Sequence, residues 1–79
     1  MNRYTSAIPD RPTAERIAAS LRLAACEYER TDPARARLCA DAAAMLQGSR
    51  WYAVAARPPL AERLWNLHAE AYAERIRRG

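Results

Sequence analysis

Lysine and phenylalanine are absent from this chain of 79 residues, and histidine, glycine and cysteine are scarce. The two cysteines, Cys26 and Cys39, have no second pair and no neighbouring histidine, which excludes a disulfide framework and a four-ligand zinc site. We expect both to be buried free thiols of a reducing compartment. A disulfide between them stays open as an alternative, because a hairpin of two helices would hold them at similar heights.

Long apolar runs and catalytic motifs are missing as well. No stretch approaches 18 apolar residues, and the first residues, MNRYTSAIPDRP, lack the apolar segment of a signal peptide. We therefore expect a soluble, cytoplasmic protein with no membrane partner. The chain has no glycine-rich phosphate loop, no HExxH and no GxSxG motif. We accordingly expect no enzyme: no catalytic residue, no cofactor and no bound metal.

Alanine and arginine are abundant. Nearly half of the hydrophobic residues are alanine, which favours helix but buries little area, so the composition predicts an all-α protein with a thin core. All thirteen basic residues are arginine, which is explained by codon usage or by selection for bidentate contacts with carboxylates and phosphates. The formal charge of +4 favours an acidic protein partner or nucleic acid.

Apolar spacing predicts one helical domain over residues 1–79, a small bundle that begins with an extended arm over residues 1–12. A first helix is expected from about Thr13 to Glu29, capped by Asp10 or Thr13. The stretch Thr31-Asp32-Pro33 starts a second helix, with aspartate as N-cap and proline at the first helical position. This helix is expected to run to about Gln47 and to end at Gly48. The short link between the two helices predicts an antiparallel hairpin.

The stretch QGSRWYAVAARPP, residues 47–59, predicts a short third helix. Ser49 is its expected cap, with Trp51 turned inward and Tyr52 outward, and Pro58 forces Arg57 out of helical geometry. A long fourth helix then runs from Pro58 or Pro59 to about Arg77, with two adjacent apolar stripes and Trp65 in the core. So broad an apolar arc either packs against two neighbours or carries an interface. One stripe holds Leu60, Leu64, Leu67 and Ala71, and the other holds Ala61, Trp65, Ala69, Tyr72 and Ile76.

Two polar features of the fourth helix could take part in catalysis or metal binding. His68, the only histidine, could act as a general base, but we favour a histidine that makes one hydrogen bond in the core or in a groove. Glu70 and Glu74 lie one turn apart and could bind a metal, although pairing with Arg77 and Arg78 on a solvated face is the expected arrangement.

The junction of the second and third helices supports one hypothesis, a helix-turn-helix DNA-binding regulator. Ala44, Gly48 and Val54 fall where such a motif has a small residue, a turn glycine and an apolar residue. Gln47 argues against the motif, because it occupies a position that an apolar residue should anchor. The expected DNA contacts are Arg50, Tyr52 and Arg57 in the major groove, and Arg3 and Arg11 in the minor groove.

Our leading hypothesis is a small non-enzymatic protein-interaction module, as a monomer or a homodimer. The fourth helix has more apolar surface than a hairpin covers, and aromatic residues lie next to arginine in two places, a combination enriched at binding hot spots. We expect this Arg/aromatic face to dock on an acidic surface of a protein or nucleoprotein complex. A bacterial or phage accessory protein fits this description, for example an inhibitor of a CRISPR effector. The expected contact residues are Arg50, Tyr52, Arg57, Arg75 and Arg77.

Overall fold

The computed structural model describes residues 6–79, and every regular element in that part of the chain is helical. The prediction of a small all-α bundle is therefore confirmed. A 3₁₀ turn over Gly48–Arg50 leads into the third helix. The four α-helices are α1 (Arg11–Tyr28), α2 (Pro33–Met45), α3 (Trp51–Ala55) and α4 (Pro58–Arg78).

Aspartate side chains cap the two hairpin helices, as the sequence predicts. The Asp10 carboxylate accepts a hydrogen bond from the Thr13 amide at 2.9 Å. Hydrogen bonding by the Thr13 side chain, and then by its amide, lowers the pKa of Asp10. Asp32 accepts from the Arg35 amide at 3.2 Å, with proline in the first turn. Helix α1 begins at Arg11, two residues earlier than predicted, so Arg11 belongs to the helix and not to an extended arm.

The segment between α2 and α4 follows the predicted helix stop and start signals, with two differences. Helix α2 ends at Met45, two residues early, and Gly48 follows with a φ of 60°, the left-handed conformation that glycine tolerates. The prediction that Ser49 caps α3 is wrong, because Ser49 lies inside the 3₁₀ turn and neither turn nor helix has a side-chain cap. Arg57 is non-helical, with φ −120° and ψ 90°, as Pro58 requires.

Half of the buried hydrophobic side chains of residues 6–79 are alanine, and they lie where helices meet. The most extensive contact between elements joins α1 to α2. Large side chains that are fully enclosed are few, and Ile8, which precedes α1, is one of them. Ile8 thus packs against the body of the bundle, while Arg3, an expected minor-groove contact, lies outside the described residues. The others with less than 2% exposure are Ile17, Leu21, Cys39 and Leu46.

Helix α4 lies along the hairpin and is held by polar contacts between side chains far apart in sequence. Ser20 of α1 contacts His68 of α4, and Glu27, seven residues later in α1, contacts Arg75, seven residues later in α4. Helix α4 therefore runs parallel to α1 and antiparallel to α2. Helix α4 makes more contacts with α1 than with α2. One side of α4, next to α2, is therefore only partly covered.

Several large apolar residues lie at the edges of the bundle and not in its core. Trp65 is 40% exposed, so its assignment to the core is wrong. Leu38 is 56% and Met45 37% exposed, because alanines and Cys39 fill the buried face of α2 and leave these side chains at its border. Cys26 is exposed on the outer face of α1, and both cysteines are free thiols. The expectation of burial is correct for Cys39 and wrong for Cys26.

A matched pair of substitutions in α1 tests this division between core and edge. Leu21 is fully buried and Leu23, two residues later, is 49% exposed. We expect Leu21→Ala to lower the free energy of unfolding by about 2–5 kcal/mol, because it removes apolar burial and leaves a cavity. Leu23→Ala should change it by no more than about 0.5 kcal/mol. Urea unfolding followed by far-UV circular dichroism measures both, and equal losses would contradict the described packing.

Candidate interaction surface

The five predicted contact residues do not share one face. Arg50, Tyr52 and Arg57 are exposed around α3. Arg75 and Arg77 lie near the end of α4, about 27 Å from Arg57 at a rise of 1.5 Å per residue. The structure therefore divides the predicted site between the two ends of the bundle.

The pair at the end of α4 differs in its surroundings. The Arg75 Nε lies 3.1 and 3.2 Å from the two carboxylate oxygens of Glu27, and the Arg75 side chain is only 27% exposed. Arg75 thus fastens α4 to α1 and is not available as a surface contact. Arg78 adds a longer ion pair to Glu27 at 3.8 Å, while Arg77 is exposed and forms no ion pair within residues 6–79.

Two further side chains of the hairpin, Tyr28 and Arg35, contact α4. The Tyr28 hydroxyl donates a hydrogen bond to Glu74, and this bond, together with burial, raises the pKa of Tyr28. The Arg35 guanidinium lies 5.5 Å from the centre of the Tyr28 ring and 3.3 Å from a carboxylate oxygen of Glu70. The prediction that Glu70 and Glu74 pair with Arg77 and Arg78 is wrong, because their partners come from the hairpin.

An apolar groove runs between α2 and α4 on the side where α4 is incompletely covered. It has a volume of about 330 Å³. The Arg35–Glu70 ion pair lies at one end of the groove. Leucines and a methionine make up most of its surface, with one acidic and one basic residue among them. The lining residues are Leu38, Asp41, Ala42, Met45, Leu60, Arg63, Leu64 and Leu67.

A second depression, of about 250 Å³, continues the groove toward α3. The two share Met45 and Leu60, so they form one surface. Two of the predicted contact residues, Arg50 and Arg57, line the extension beside Ala53 and Val54. We call the combined surface the arginine-rimmed groove; it consists of residues 38, 41, 42, 45, 50, 53, 54, 57, 60, 63, 64 and 67.

The charges at the rim of the arginine-rimmed groove are unbalanced. Arg50, Arg57 and Arg63 are exposed, and none of them forms an ion pair within residues 6–79. The first five residues contain no carboxylate side chain that could pair with them. Asp41 is the one acidic residue that lines the groove in the described part of the chain. This end of the protein therefore combines an apolar floor with excess positive charge.

Sequence reasoning found Arg50 and Arg57 but missed Arg63. Arg63 is three residues after Leu60 and four before Leu67, which places it on the border of the stripe that lines the groove. That spacing is a signal that could have identified it. The predicted orientation of the aromatic pair in α3 is confirmed, since Trp51 is half-buried against the core and Tyr52 is 72% exposed.

Another side of α4 carries a row of three rings, which we call the aromatic seam: Trp65, His68 and Tyr72. Their neighbouring ring centroids are 5.4 Å and 6.3 Å apart. Tyr72 is 52% exposed, and Ile76, one turn further along, is 61% exposed. The seam is thus a second apolar surface of α4, on the stripe next to the one that lines the arginine-rimmed groove.

His68 is the half-buried member of the aromatic seam. Its Nδ1 lies 2.7 Å from the Ser20 hydroxyl oxygen, which agrees with the interpretation of a groove histidine that makes one hydrogen bond. Burial lowers the pKa of His68, and the nearby Arg75 charge lowers it further. Within the described residues, Ser20 is the side chain hydrogen-bonded to the ring. Burial raises the pKa of the Cys39 thiol.

Residues 6–79 contain neither a membrane-spanning helix nor a cluster of metal ligands. None of the helices found there has the length and apolarity needed to cross a membrane. In the same range, no three histidine, cysteine or acidic side chains are grouped so that they could hold a metal ion.

Comparison with known proteins gives no relative from which a function could be transferred. No protein family, no curated protein and no solved structure matches this chain.

The environment of His68 predicts a pH-dependent stability. Because its pKa in the folded protein is below the ordinary value of 6.5, the unfolded chain binds the proton first as pH falls. The stabilisation is complete above the unfolded pKa and is lost as pH falls through the folded pKa. We expect the urea midpoint of the wild type to fall more between about pH 7 and 5 than that of His68→Gln. Parallel curves for the two proteins would contradict this assignment.

Proposed function

We propose that the protein is a small non-enzymatic interaction module that binds an acidic surface of a protein partner through the arginine-rimmed groove. One observation carries the proposal: three arginines without ion-pair partners in residues 6–79 lie at one end and along one wall of a partly exposed apolar floor. A partner can exclude water from the apolar floor and form hydrogen bonds with the cationic rim. This division into an apolar centre and a polar edge is typical of protein interfaces. Arginine suits this rim because its planar guanidinium binds carboxylates in a bidentate manner.

The proposal keeps part of the predicted contact set and changes the rest. Arg50 and Arg57 stay, and Arg63 joins them. Tyr52 stays as a neighbouring aromatic contact, because it is exposed on α3 between them in sequence. Arg75 is left out, since its guanidinium already binds Glu27. Arg77 stays a predicted contact at the other end of α4, and a role as inhibitor of a host complex stays a prediction from size and charge.

Charge reversal at the rim tests this proposal. The triple variant Arg50→Glu, Arg57→Glu, Arg63→Glu should reduce recovery of any partner from lysate of the source organism at least about tenfold, because each rim contact becomes repulsive. The measurement is affinity capture with quantitative mass spectrometry at matched bait concentrations.

The matched control reverses three arginines away from the groove. Arg22, Arg30 and Arg37 are exposed on α1, the hairpin link and α2, and their reversal changes the net charge by the same amount. A partner that binds through the arginine-rimmed groove should be retained by this control. Partners lost equally from both triple variants respond to net charge alone, and that result would refute the proposal.

DNA binding is the second candidate function, favoured by the exposure of Arg50, Tyr52 and Arg57 on one corner of the bundle. The helix that would enter the major groove, α3, has five residues and follows a 3₁₀ turn. Arg11, assigned to a minor-groove arm, lies in α1 with its Nε 3.7 Å from Glu15.

A salt titration separates this alternative from the protein-binding proposal. If DNA is the ligand, fluorescence anisotropy on a duplex of random sequence should show binding at about 50 mM salt that weakens at least tenfold by about 200 mM, as counterion release requires. Reversal of Arg50 and Arg57 should reduce the salt dependence. Absence of binding at the lower salt concentration would exclude the alternative.

A further inference from the structure

We propose that the arginine-rimmed groove binds an amphipathic α-helix whose apolar stripe is flanked by acidic residues, with the C-terminus of that helix at the α3 end. This inference rests on the proposed function and specifies the element that the partner presents.

The walls of the groove have the shape that accepts a helix. They are two antiparallel helices, with Leu38 and Met45 two turns apart on α2 and Leu60, Leu64 and Leu67 over two turns on α4. Such ridges of side chains are the surfaces into which a third helix packs in bundles and in helix-in-groove complexes. Residues 6–79 contain no strand, so they offer no sheet edge on which an extended peptide could add.

The length of the groove sets the length of the bound helix. From Leu67 to Leu60 the apolar floor extends about 10 Å along α4, at 1.5 Å per residue. The extension past Ala53 and Val54 lengthens it at the α3 end, and the Arg35–Glu70 ion pair limits it at the other. Roughly three turns of helix, with a pitch of 5.4 Å, therefore cover the floor.

The charges decide the composition and direction of the bound helix. Arg50 and Arg57 lie together at the α3 end and Arg63 lies on the α4 wall, so acidic residues are favoured at these places. The C-terminus of a helix carries a partial negative charge, and the same arginines favour it at the α3 end. The bound helix would then run parallel to α2 and antiparallel to α4. Asp41, on the α2 wall, favours a neutral or basic residue beside it.

The same charges disfavour a second copy of this chain as the occupant. A two-fold symmetric dimer through the groove would place identical surfaces against each other. Each copy would bring three arginines and one aspartate to the contact, so like charges would outnumber opposite ones. An acidic helix from a different protein balances this rim, whereas a second copy doubles its charge.

A displayed library of random peptides about 16 residues long, which can form three to four turns, tests the inference against the full-length protein. Enriched sequences should have apolar residues at i, i+3 or i+4, and i+7, with aspartate or glutamate beside them and toward the C-terminus. The affinity of one enriched synthetic peptide is then measured by fluorescence polarisation. We expect Leu38→Gln and Arg63→Glu each to weaken it at least tenfold, since both positions line the groove.

The controls use the same substitutions on another face. Leu23→Gln and Arg22→Glu alter exposed residues of α1 and should leave the affinity within about twofold. All four positions are exposed, so circular dichroism should show a folded protein for each variant. A photoreactive residue at the C-terminus of the peptide should crosslink to the segment around α3.

The possible results separate this inference from the proposed function. Enriched peptides that lack the acidic amphipathic pattern, or whose binding responds to Leu23→Gln and not to Leu38→Gln, would overturn the helix inference and leave a protein-binding role intact. A C-terminal probe that crosslinks beside Arg35 would overturn the proposed direction. A failure of the proposed function itself is shown by affinity capture, when groove and control triple variants recover the same proteins.

Discussion

The alanine-lined contact between α1 and α2 is the constraint from which the other surfaces follow. Alanine lets two helices pack closely, but it removes little apolar area from water, so the hairpin core is thin. The large apolar residues of α2 are consequently displaced to its border, where Leu38 and Met45 are exposed. Helix α4 rests mainly on α1, which leaves the space between α4 and α2 open. The groove is thus a direct result of how the hairpin is built.

Arginines have two roles in this protein, and the role depends on which end of the bundle the arginine occupies. Near the C-terminal end of α4, Arg35 and Arg75 bind carboxylates of another helix and help fix the register of α4. Ion pairs that solvent still reaches contribute about 1 kcal/mol or less, so these pairs orient α4 more than they stabilise it. Around α3 the arginines have no such partners in residues 6–79. Positive charge that is not needed to hold the fold is what a binding surface requires.

The fold could be predicted well because helix ends depend on neighbouring residues. The site could be predicted only in part because it depends on contacts between residues far apart in the sequence. Asp10 and Asp32 act on neighbouring backbone atoms, so the sequence alone indicates where the hairpin helices begin, and Gly48 marks the turn that follows α2. Helical periodicity shows which residues share a face, but not which faces another helix covers. That is why Trp65 was placed in the core. The partner of Arg75 is 48 residues away, which no local spacing reveals.

The two components of the arginine-rimmed groove contribute differently to binding. The α2 wall is fixed by the Asp32 cap and the α4 wall by contacts with the hairpin, so a bound helix needs little reorganisation of the backbone. The rim arginines are exposed, and ordering each of them costs side-chain entropy, up to about 2 kcal/mol. Rim charges also act mainly on the rate of association and on its salt dependence. The affinity therefore depends mostly on the leucine and methionine floor, while Arg50, Arg57 and Arg63 select an acidic partner and orient it.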